Sequence, residues 1–178
     1  MPKTDNPHSI RLYNSLMKHT DAATSEGIAH KIPLSNSADA EKKFVWAQSI
    51  CAALELNFDD ETIKSIRMDC ACGPDAGKIN SLKKLYLSCR SIETFAEKAT
   101  ALQQGYKMKY DGQSLYLLYP QCYCSCVKKI NQLLSKTWCY CTLGYTKKMF
   151  EGILERPIDV ELVDSVKMGG EKCIIKIT

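Results

Sequence analysis

Long hydrophobic runs are missing from this chain. No stretch of about 18 apolar residues occurs among its 178, so a membrane-spanning helix is not expected. The opening segment, Met1 to Asp21, is polar and has no basic stretch leading into an apolar one, so no secretory signal is expected either. Histidine is scarce. His8, His19 and His30 all lie in the N-terminal region, far along the chain from the thiols, and nothing in their placement argues for a Cys–His dyad. A phosphate loop, a dinucleotide fingerprint and a His-Glu-x-x-His motif are all absent, as is any internal repeat. The net charge of +4 is small and the lysines are scattered, which fits a solvated surface and argues against a nucleic-acid partner.

Cysteine is what the chain has in excess. There are ten, and six fall in the last third: Cys122-Tyr123-Cys124-Ser125-Cys126, then Cys139-Tyr140-Cys141, then Cys173. Without an export signal these are expected to be reduced thiols in a cytoplasmic protein, so metal binding or redox chemistry outranks a disulfide framework.

Apolar spacing places helices in the first half. They are expected from Asp5 to His19, from Asp39 to Leu56, and from a cap at Asp59 or Asp60 through Met68. Two more should cover Pro74 to Cys89 and Ser91 to Gln104, the last stopped by Gly105. Residues 20 to 38, rich in Ser and Thr, read as a loop. From Tyr106 the texture changes. A hairpin is expected around Asp111-Gly112, ending near Pro120. Helices over Cys126 to Lys136 and Leu143 to Leu154 should follow, then a closing hairpin around Gly169-Gly170. The class is α+β: N-terminal helices, then hairpin, two helices and hairpin forming an antiparallel sheet. Residues 1–103 form the helical part and 104–178 the α+β part, within one compact unit.

In an extended strand Cys122, Cys124 and Cys126 would present three sulfurs on one face, with the outer two about 13 Å apart. One zinc ion, with Zn–S near 2.3 Å, could not be held by both unless the chain turns there. Pairs drawn from the 122–126 and 139–141 segments are geometrically easier. Three readings stay open for these sulfurs: a metal site, redox or nucleophilic thiols, and buried cysteines acting as small hydrophobes. Cys51 and Cys173 fit the last of these best. A second group, Cys70-Ala71-Cys72-Gly73-Pro74, puts two sulfurs at the mouth of a helix, where thiol pKa falls and anions are favoured. Nearby Arg67 could pair with an anionic substrate, although a solvated arginine on a helix end is the plainer expectation. Tyr123, Trp138, Tyr140 and Tyr145 interleave the cysteines and could wall a small-molecule pocket.

The cadence Tyr140-Cys141-Thr142-Leu143-Gly144-Tyr145, Phe150, Ile153-Leu154, Pro157 to Val160, then Ser165 to Ile177 resembles the four-vinyl-reductase, or hydrocarbon-binding, domain superfamily over residues 104 to 178. It is also similar to the aminothiazoline-carboxylate hydrolase group. The resemblance implies an α+β fold that binds a small molecule under its helices, with a structural zinc near the closing hairpin. Cys141 and Cys173 match the ligand positions. Ser165 and Leu162 occupy the other two, with Glu161 and Asp164 beside them, so either the thiols at 122 to 126 supply the missing ligands or the site has another role.

The expectation is therefore a small-molecule-binding protein with a metal site drawn from Cys122, Cys124, Cys126, Cys139, Cys141 and Cys173. Zinc is the first choice of metal and an iron–sulfur cluster the alternative. Ligand contacts are expected from Arg67, Cys70, Cys72, Tyr123, Trp138, Tyr140 and Tyr145. The alternative function is a thiol-dependent hydrolase of a small sulfur- or amide-containing substrate. No membrane or nucleic-acid partner is expected, and a homodimer is the expected assembly if there is one.

Overall fold

A computed structural model describes residues 5–102 and 105–178. Among them are seven α-helices and four strands: α1 (Pro7–Leu16), α2 (Ala22–Ala29), α3 (Ala40–Asn57), α4 (Asp60–Asp69), α5 (Ala76–Leu87), α6 (Ile92–Leu102), β1 (Lys107–Tyr110), β2 (Leu115–Tyr119), α7 (Lys136–Leu154), β3 (Val160–Asp164) and β4 (Cys173–Ile177). The class is α+β, with helices towards the N-terminus and strands towards the C-terminus. The expected end of α6 at Gln104, and with it the boundary at 103/104, lies outside the described residues. No helix among the described residues is long and apolar enough to cross a membrane.

Helix starts are written by short polar side chains that accept a bond from an otherwise unpaired backbone N–H. Asn6, Asp21, Asp39, Asp59 and Asp75 do this for α1 to α5. Ser91 does it for α6, taking the Thr94 N–H at 3.2 Å. The Asp21 cap explains why the segment expected to be loop carries α2: the cap and the buried pair Ile28 and Ala29 outweigh its Ser and Thr content.

The chain divides into two units. One comprises the described residues up to Ala71 together with Tyr123–Gly144, and the other Cys72–Cys122 with Tyr145–Thr178. The first unit is helical and packs around Leu12, Leu16, Phe44, Trp46, Ile50, Leu54, Ile63, Ile66 and Trp138, all buried. Trp46 meets Trp138 edge to face, with centroids 5.7 Å apart.

In the second unit the sheet runs β1-β2-β4-β3, every neighbour antiparallel. Alternation puts Met108, Leu117 and Ile175 in one buried row, and Leu115, Ile177 and Val160 in the next. The hairpin turn follows the expected chemistry. Asp111 Oδ1 accepts from the N–H groups of Gln113 and Ser114, and Gly112 takes a φ of 98°.

Two expectations between β2 and β3 need correction. Cys126 to Lys136 is not a helix: the chain makes a short run of turns there, with Val127 and Lys128 both donating to the Cys124 carbonyl. The following helix begins at Lys136 and not at Leu143. Its start is set by Ser135, which accepts the Thr137 N–H, and by Glu55, which accepts from the hydroxyls of Ser135 and Thr137. Cys139 and Cys141 therefore ride on a helix.

Candidate functional site

The site lies in the first unit and is organised by Arg67. In the last turn of α4 it shares the inner face with Ile63 and Ile66, and only 3% of it is exposed. The expectation of a solvated arginine fails because this face is turned into the protein. Its Nε donates to the Thr137 carbonyl at 3.3 Å, its Nη2 to the Trp138 carbonyl at 3.0 Å and its Nη1 to Cys70 Sγ at 3.1 Å. Its Cζ stands 4.3 Å from the centre of the Trp138 ring.

This close packing depends on Gly144. A Cβ there would sit 2.1 Å from the Met68 carbonyl oxygen, so α7 can pass the end of α4 at this distance only without a side chain.

A buried cation needs an anion. Among the described residues no carboxylate pairs with Arg67; the groups it faces are the thiols of Cys70, Cys141, Cys51 and Cys124. Burial alone would lower the guanidinium pKa, and these sulfurs more than offset it, so the group stays protonated.

The hydrogen bonds around these sulfurs favour an anion at Cys124. Cys70 can place its proton on the Arg67 carbonyl, 3.3 Å away, while accepting from the guanidinium. Cys126 donates to Cys124. Cys124 Sγ accepts from the Cys126 thiol, from the Cys126 backbone N–H and from Trp138 Nε1 at 3.4 Å. Its partners are donors, an arrangement that suits a thiolate. The Cys126 hydrogen bond is the largest influence holding the Cys124 pKa below the ordinary thiol range; Trp138 and Arg67 add to it and burial opposes it. Cys126 is pushed up, first by that same bond and then by burial. Burial likewise raises Cys141, against the pull of Arg67, and pushes Cys51 up to about 12.

The local turn makes this arrangement possible. Cys124 opens it as a capping residue would, and the buried Cys126 and Val127 anchor it. Ser125 is exposed and Cys124 is half-buried.

His8 joins the rim, a residue that sequence reasoning set aside. Arg11 Nη2 lies 3.1 Å from His8 Nδ1, and the guanidinium can only donate. Nδ1 is therefore the acceptor and Nε2 carries the proton, directed at Ser125 Oγ 3.3 Å away. Burial first, then the charges of Arg11, Arg67 and Lys43, lower the His8 pKa to about 4. A contact across 117 residues leaves no trace in local spacing.

Of the expected metal set, Cys124, Cys126, Cys139 and Cys141 belong to this unit, whereas Cys122 and Cys173 belong to the other. Cys173 lies opposite Tyr119 in the sheet. Among the described residues no group of three or more His, Cys, Asp or Glu side chains is arranged to hold a metal ion. Of the expected ligand contacts, Arg67, Cys70 and Trp138 build the site. Tyr140 instead ties α7 to α4, its hydroxyl donating to both oxygens of Asp60 at 3.2 and 3.1 Å. Tyr123 is exposed, and Cys72 and Tyr145 lie in the second unit.

All ten cysteines are among the described residues, and no disulfide joins any of them. No curated protein matches the chain. A family model matches residues 5–178, nearly the whole length, and by it the chain belongs to a family of unknown function, DUF6144.

Proposed function

We propose that this protein binds a small electrophilic molecule and acts on it through the thiolate of Cys124. The observation that carries the reading is a half-buried cysteine whose sulfur receives three hydrogen bonds and lies in the field of a buried guanidinium with no carboxylate partner among the described residues. Reactive cysteines occupy electropositive, partly exposed surroundings of this kind, whereas purely structural ones are wrapped in hydrocarbon. The sulfur would attack an electrophilic carbon or sulfur with its lone pair. The Cys126 hydrogen bond, with Trp138 and Arg67 adding to it, would keep it charged below the pH at which an ordinary thiol ionises. Hydrolysis of a small sulfur- or amide-containing molecule is one reaction open to such a group. A reducing, cytoplasmic setting would keep the thiols available.

The test is alkylation by iodoacetamide at about pH 6.5, roughly two units below the ordinary thiol pKa, with the modified residues located by mass spectrometry. Cys124 should be modified before Cys72, which is the more exposed of the two. A faster reaction at Cys72 would overturn the reading. So would stoichiometric zinc in protein purified without a metal-affinity tag, because the metal would then own the sulfurs.

A further inference from the structure

We propose that Cys124 and Cys126 form a thiol–disulfide exchange couple acting on low-mass thiols and disulfides, with Cys124 as the attacking sulfur and Cys126 as the resolving one. The inference rests on the thiolate reading of Cys124 and narrows its electrophile to sulfur. Three observations carry it.

The first is contact: the Cys126 thiol hydrogen-bonds to the Cys124 sulfur, so the two atoms that would join already face each other. The second is backbone shape. Lys128 N–H donates to the Cys124 carbonyl at 2.9 Å, the bond of a helical turn. In such a turn, Cα atoms two residues apart are separated by about 5.4 Å. A disulfide joins Cα atoms about 4.4–6.8 Å apart whose side chains turn towards each other, and the Cys124–Cys126 hydrogen bond supplies that second condition. The third is unequal access. Cys126 is 2% exposed, while Cys124 is half-buried beside an exposed Ser125, so an incoming disulfide meets Cys124 first.

In the first step the Cys124 thiolate attacks one sulfur of RSSR. The S–S bond breaks, RS⁻ leaves and takes a proton from water, and a mixed disulfide remains on Cys124. In the second step Cys126 attacks Cys124 Sγ, the Cys124–SR bond breaks, and the second RS⁻ leaves with the proton that Cys126 gives up. RSSR has been reduced to two RSH and the protein dithiol oxidised to a Cys124–Cys126 disulfide. Excess low-mass thiol reverses both steps.

Geometry also sets the direction of bias. Oxidation removes the anionic sulfur that Arg67 faces and leaves the buried cation without it, so the dithiol is the favoured form and the disulfide a strong oxidant.

The experiment equilibrates the full chain with mixtures of glutathione and glutathione disulfide, traps it by rapid alkylation and maps the products by mass. The wild type should interconvert between the dithiol and the 124–126 disulfide. Its exchange constant should lie at least about tenfold, or about 30 mV, to the oxidising side of glutathione. Cys126→Ser and Cys126→Ala should instead accumulate glutathione on Cys124, and Cys124→Ser should leave Cys126 unmodified. Equal accumulation of the mixed disulfide in wild type and in the Cys126 variants would overturn the couple. A Cys124 that alkylates readily but takes no glutathione would overturn the couple while sparing the thiolate reading. A Cys124 inert to both reagents would overturn the two together.

Discussion

In the first unit thiols gather around a guanidinium, whereas in the second the hydroxyls of Tyr106, Tyr119 and Tyr145 gather around one another. Thiols and phenols are both weak acids, yet the two settings treat them differently. Burial raises Tyr119, and the neighbouring Tyr106, Tyr145 and Cys173 reinforce the shift. Burial also pushes Tyr106 up to about 12 and raises Tyr145. The one influence that favours an anion there, a Thr146 hydrogen bond to Tyr119, is outweighed. In the first unit burial acts in the same direction on Cys51, Cys124, Cys126 and Cys141, and of these Cys124, which collects three donors beside a fixed cation, escapes it. The contrast shows that an enclosed acid becomes chemically useful through the groups aimed at it, and that enclosure by itself silences it.

The comparison breaks most severely at Arg67. Replacing it with Met removes the cation and orphans the acceptors it serves. The expected cost is about 3–5 kcal/mol in denaturant unfolding, with Cys124 alkylation returning towards the behaviour of an ordinary thiol. Arg67→Lys keeps the charge without the planar fork and should fall between the two.

The next effect in size separates two glycines of α7. In the first unit an added methyl at Gly144 meets rigid backbone, so Gly144→Ala should destabilise by about 1–3 kcal/mol. In the second unit Gly152 would meet the Ile79 Cγ2 at 3.0 Å, and a side-chain methyl can yield. Gly152→Ala should therefore cost less, and thermal melts of the two variants check the order.

A third outcome concerns pH. His8 is lowered from 6.5 to about 4 by its folded surroundings, so the unfolded chain takes up the proton first as the solution is acidified. This contribution to stability is intact above pH 6.5 and declines as pH falls towards 4. His8→Asn should flatten that part of the stability curve. Smaller again, Trp138→Phe removes one neutral donor from Cys124, at about 1 kcal/mol, and should shift the pH at which Cys124 alkylates upward by less than about one unit. The smallest change is expected at Tyr106, whose buried hydroxyl has no hydrogen-bond partner among the described residues. Tyr106→Phe should be neutral or slightly stabilising in the same melts.

Local signals made much of the fold readable. Acidic caps, the period of apolar residues and the Asp111-Gly112 turn are each written within a few neighbouring residues, and α3, α4, α5 and the first hairpin are present where they announce them. The errors fall where distant residues decide. Leu133 and Leu134 suggested a helix over 126 to 136, but Leu133 is exposed, and α7 is started by Glu55 from about eighty residues away. Much the same holds for the site. Alternating cysteines marked the segment, and their spacing raised the question of a turn. Arg67 could not be told from a surface arginine, because what buries it is α7, held close through Gly144. His8 was invisible for a like reason: its partners are a serine far along the chain and a nearby arginine whose direction the sequence does not state.

The order in which the chain leaves the ribosome adds a consequence to the two-part composition of the first unit. Residues up to Ala71 emerge early, carrying Arg67 and Cys70, whereas Cys124, Trp138 and Cys141 follow only after the intervening stretch has been synthesised. Until then the nascent α4 has a cationic side chain on its inner face with only Cys51 and Cys70 of its sulfur lining, so this half must wait, loosely organised, for the later segment to dock. A truncated product ending before Tyr123 would lack that segment altogether and should be a ready substrate for proteolysis.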